Sequence, residues 1–143
     1  MAPRNVKSLQ TLIKLQKTRV DEQRIQVLQL QERLEQIDGK IAQVEIRKAR
    51  EQAAARDDEA RATYGAFLKA AVAESRVLEK ERQAAAMAVK IAQDKLALLF
   101  EEQKRYEIAE QQRITAETRE ENRRERIELD EIGSVIHERK KAE

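Results

Sequence analysis

The chain carries few residues able to do covalent or metal chemistry. Its single histidine, His137, stands in the charged stretch "LDEIGSVIHERKKAE", and there is no cysteine. A metal site needs several converging ligands, and a nucleophile needs a base beside it. Gly39, Gly65 and Gly133 are scattered, so no glycine-rich loop is expected to cradle a phosphate. Asp and Glu are plentiful, but on long exposed helices they are solvated faces and i,i+4 partners of Lys and Arg. A catalytic carboxylate needs a cleft that shifts its pKa. The sequence therefore predicts no enzyme, no catalytic residue, no metal and no cofactor. The chemistry left is apolar docking. Its most prominent candidate is "ATYGAFLKAAVAESR", Ala62 to Arg76, where two of the chain's four aromatics, Tyr64 and Phe67, flank Gly65.

The elements that must position these residues follow from composition and spacing. Charged residues make up 39% of the 143 and aromatics 3%, with one proline. That balance suits long helices and coiled coils, since an ordinary globule needs more large apolar side chains. Stepping alternately by three and four from Val6 gives Leu9, Ile13, Gln16, Val20, Gln23, Val27, Leu30, Leu34, Ile37, Ile41 and Val44, and ten of these twelve are apolar. This is an a/d seam, interrupted by two glutamines of the kind that fix register. The same phase then reaches Lys48, Glu51, Ala55 and Asp58, and the seam empties.

A second seam runs through Tyr64, Leu68, Ala71, Ser75, Leu78, Arg82, Ala85, Val89, Ala92, Leu96, Leu99, Gln103, Tyr106 and Glu110. Its phase is offset by one residue, which predicts a reversal between about Ala54 and Gly65. The expected fold class is all-α: a long antiparallel two-helix coiled coil, or helical hairpin, with a longer second helix and a C-terminal overhang. One coiled-coil domain is expected over residues 1–143, with helix 1 over about 5–55, a turn at about 54–65 and helix 2 over about 64–139. Asp57, Asp58 and Thr63 are candidate N-caps. "EQAAARDDEARA" contains neither proline nor glycine, so a single long dimerising helix is the alternative.

With a tip near residue 60, Val44 pairs near Leu78, Leu30 near Ala92 and Ile13 near Tyr106. At 1.5 Å per residue the paired part would be a rod of about 75 Å. Helix 1 then runs out near Thr115. In the remainder Leu129, Ile132 and Ile136 share one helical face, an apolar stripe with no intramolecular cover. Leu12 and Leu15 also lie off the seam.

A balance of 29 basic and 27 acidic residues, without aromatics set among basic ones, predicts no nucleic-acid binding. No run of 18 apolar residues is present, so no membrane span is expected. The sequence suggests no secretory signal, and a cytoplasmic location is expected. The basic start, with Arg4, Lys7, Lys14, Lys17 and Arg19, raises a membrane-surface helix as an alternative, although its apolar face is a narrow seam claimed by the partner helix.

Several stretches resemble the FliJ family of bacterial flagellar export proteins: "SLQTLIKLQKTRVDEQR", "TYGAFLKAA", "LALLFEEQKRYE" and "LDEIGSVIHERKKAE". The resemblance covers nearly the whole chain in length and order, through loose motifs. The rod-like partner proteins of injectisome ATPases look similar. What the resemblance implies is an antiparallel two-helix coiled coil acting as stalk of a hexameric flagellar export ATPase. It further implies a link to the cytoplasmic part of the membrane export-gate protein and an escort role for export chaperones. Such a protein would sit in the cytoplasm, peripherally at the inner membrane face of the flagellar base, and serve flagellum assembly and motility. In that family the gate-facing row begins at an aromatic three residues after a tyrosine. "YGAF" matches, which implies a gate contact through Phe67, Ala71, Glu74 and Leu78, although Ala71 is smaller than the family pattern suggests. The ATPase contact is assigned to Leu12, Leu15, Leu129, Ile132 and Ile136. A structural coiled-coil adaptor unrelated to export is the other class of function.

Overall fold

A computed structural model describes residues 4–142, with side chains described from Ser8 onward, so the expected seam position Val6 has no described side chain. The fold is an all-α hairpin of two antiparallel helices, α1 (Arg4–Ala54) and α2 (Asp58–Ala142). Both are built from strong helix formers, and neither contains proline. The acids Asp58 and Glu59 in the first turn of α2 and the bases Arg139, Lys140 and Lys141 in its last turn complement the helix dipole.

The reversal occupies only residues 55–57, much shorter than the expected 54–65. Its chemistry is an N-cap. The Asp57 carboxylate Oδ1 accepts the Ala60 N–H at 2.7 Å, and the Asp57 carbonyl accepts the Arg61 N–H at 2.9 Å. Helix 2 therefore begins six residues before the expected position. Gly65, expected at the turn exit, lies inside α2 with no positive φ. We expect Asp57→Ala to lower stability by about 1 kcal/mol, read as a shift of the urea midpoint with an unchanged slope.

The chain's contacts group into two compact units, Thr18–Phe100 and Met1–Lys17 with Glu101–Glu143. In the first, α1 buries Val20, Gln23, Val27, Ile37 and Val44, and α2 buries Ala71, Leu78, Ala85, Val89 and Ala92. Leu30, Leu34, Ile41, Tyr64, Leu68, Leu96 and Leu99 are half-buried beside them. Cross-helix contacts converge toward the turn, as an antiparallel pair requires. Gln23 Nε2 donates to the Ala92 carbonyl at 3.0 Å, Arg82 Nε to Asp38 at 2.6 Å, and Arg47 Nη2 to Glu74 at 3.1 Å. The hydrogen bond and charge of Asp38 hold the Arg82 guanidinium above its ordinary pKa. Nearest the turn, Val44, Ala71 and Leu78 form a cluster against which Ile41 and Phe67 pack.

In the second unit, Ile13 and Gln16 are buried, and Gln16 Nε2 donates to Glu102 at 2.9 Å. Gln103, Tyr106 and Glu110 are half-buried, whereas every side chain from Glu121 to Ala142 is exposed. Just before this stretch the Thr115 and Thr118 hydroxyls donate to the Gln111 and Ile114 carbonyls. At its start Glu120 pairs with Arg123 and Arg124, local i,i+3 and i,i+4 pairs that support helix. The hydrogen bond from Arg123 and its charge hold the Glu120 carboxyl below its ordinary value. The support this gives is present above the ordinary carboxylate range and fades as pH falls through the lowered value.

Candidate partner-binding surfaces

The buried glutamines show how the seam sets register. Gln23 spends its amide on a carbonyl already used within α2, and Gln16 reaches a carboxylate. A polar side chain in an apolar seam lowers stability but favours the one register that satisfies it. Gln23→Leu should therefore leave the hairpin as stable or more stable, by up to about 1 kcal/mol. The same change should broaden the distance distribution between spin labels across the seam.

Of the residues assigned to a gate contact, the structure separates two pairs. Ala71 and Leu78 are only 5% and 7% exposed and pack against Val44, so they are corrected to seam residues that present nothing to a partner. The reason is phase: both fall on the second a/d seam, and at these two positions the α1 face covers them. Phe67 lies one position off it and is half-buried, with one side on the Val44 cluster and the rest open. Glu74 is exposed and tied to Arg47. What remains for docking near the turn is the outer face of Phe67 beside the Glu74–Arg47 pair.

The five residues assigned to an ATPase contact are all exposed, and they fall in two places. Leu12 and Leu15 flank Gln16, whose bond to Glu102 sets them beside that turn of α2. Leu129, Ile132 and Ile136 lie 27 to 34 residues beyond Glu102 along α2, about 40–50 Å at the helical rise. The five residues thus form two separate patches, one near the start of α1 and one in the last part of α2. The distal patch is the stronger: Leu129 is 68% exposed, Ile132 56% and Ile136 50%, and Val135 adds to their edge. An unpaired apolar face on a charged helix marks a contact site.

Sequence reasoning assigned nothing to Phe100, yet its ring lies 4.8 Å from the Arg24 guanidinium carbon, a cation–π contact. It also left aside Val77, Ile91 and Leu98, all exposed on α2. Their seven-residue spacing is readable in the chain. Among the described residues no group of three or more His, Cys, Asp or Glu is placed to hold a metal ion. No described helix is long and apolar enough to cross a membrane.

No protein-family model, no curated protein and no solved structure matches the chain. Its surfaces must be read from their own chemistry, which is apolar and helical, with charge at the margins.

Proposed function

We propose that the chain is a non-enzymatic component of a flagellar type III export apparatus. In this reading it is the stalk of a hexameric export ATPase, links that ATPase to the cytoplasmic part of the membrane export gate, and escorts export chaperones. It works in the cytoplasm, peripherally at the inner membrane face of the flagellar base, and serves flagellum assembly and motility. The observation that carries the reading is the inequality of the two helices, 51 residues against 85. The longer one ends in a stretch with no cover, bearing Leu129, Ile132 and Ile136. A stalk needs such a free, helical, apolar-striped end to meet a ring of subunits, and a structural adaptor does not. Near the turn, Phe67 and Glu74 serve the gate contact.

The test is co-elution of the full chain, separately, with the hexameric export ATPase and with the soluble domain of the gate protein. Both complexes are expected. Retention of neither partner at micromolar concentration contradicts the proposal.

A further inference from the structure

α2 carries a second apolar stripe, turned about 100° from the seam. Its positions are Val77, Glu81, Ala84, Ala88, Ile91, Lys95 and Leu98, again stepping by four and three. Val77, Ile91 and Leu98 are 57%, 61% and 63% exposed, so α1 does not cover them. Between this stripe and α1 runs a groove floored by Leu30 and Ala88, with Ala84 and Ile91 along it. Arg33 and Glu81 stand toward one end of the groove, and Arg19, Glu22 and Lys95 toward the other. The alanines keep α2 thin here, which permits another helix to approach closely.

The occupant is indicated by the charges. Glu81 and Lys95 are equidistant from Ala88, seven residues to either side, and among the described residues no salt bridge engages either. We propose that a second copy of this chain packs on this stripe, antiparallel, about a two-fold axis beside Ala88. The axis sets Glu81 against the partner's Lys95 and repeats the pair on the other side. It also sets Ala84 against the partner's Ile91 and Val77 against the partner's Leu98. This is an isologous interface, in which one patch complements itself. A parallel arrangement would put Glu81 against Glu81 and Lys95 against Lys95, so the charges select the antiparallel one. The proposal does not rest on the export reading, and a failed ATPase assay leaves it standing.

The experiment is sedimentation equilibrium of the full chain, with helix content followed by circular dichroism. The wild type should self-associate to a dimer. Glu81→Lys alone and Lys95→Glu alone each turn two attractive pairs into two repulsive ones and should raise the dimer Kd about tenfold. The double variant Glu81→Lys/Lys95→Glu should restore it. Because the protein has no cysteine, Ala88→Cys gives an unambiguous second readout. It should form a disulfide-linked dimer rapidly on oxidation, whereas Lys90→Cys, on the opposite side of α2, should not. A monomer at all concentrations overturns the proposal. So does a dimer indifferent to the single reversals, or Lys90→Cys cross-linking as fast as Ala88→Cys.

Discussion

Val44→Asp should destabilise the hairpin by about 3–5 kcal/mol, the cost of a buried charge with no partner. Val44 is 1% exposed and sits against Ala71 and Leu78 in an apolar cluster. The carboxylate would have either to stay protonated or to open the packing nearest the turn. Helical hairpins have little core to spare, because each helix buries only one stripe. Urea unfolding followed by circular dichroism should show a large fall in midpoint. Lowering the pH should recover part of the loss, since the aspartate's pKa is raised in the folded state. Its penalty is therefore smallest below the ordinary carboxylate range and grows as pH rises through that range. A midpoint shift below about 1 kcal/mol would mean that Val44 is not in the core of the fold.

The second large effect concerns the free end of α2. Leu129→Asp combined with Ile136→Asp should weaken binding to the export ATPase at least tenfold, at a contact energy of about 1.4 kcal/mol or more. Helix content should not change, because both side chains are exposed and touch no other element. Truncation after Glu125 should do the same while sparing the gate domain. Leu12→Asp, on the separate proximal patch, should have a smaller effect. Retained ATPase binding by the truncated chain would remove the distal stripe from the account.

Much of the fold was legible because the two seams are regular. The alternating three-four spacing of Val20, Gln23, Val27, Leu30 and their successors can be buried only along a single face, and the offset of the second seam favours a reversal over a single long helix. The reversal lies inside the expected stretch, and Asp57, one of the three candidate caps, is the residue that caps α2. Without proline or glycine as punctuation the limits of the turn were set too wide. Ala71 and Leu78 were assigned both to the seam and to a docking row. A residue covered in the seam cannot also meet a partner, and the burial of these two decides between the roles. Contacts that depend on long flexible side chains, such as Arg24 over Phe100 and Arg82 to Asp38, left no trace in the pattern.

The claim at the centre of the account is that the uncovered end of α2 engages an export ATPase. The measurement that tests it most directly is the hydrolysis rate and oligomeric state of that ATPase with and without the full chain. The account predicts more hexamer and a faster rate, with both effects absent when Leu129 and Ile136 are replaced. An unchanged rate and an unchanged oligomer distribution, with both proteins folded, would contradict it.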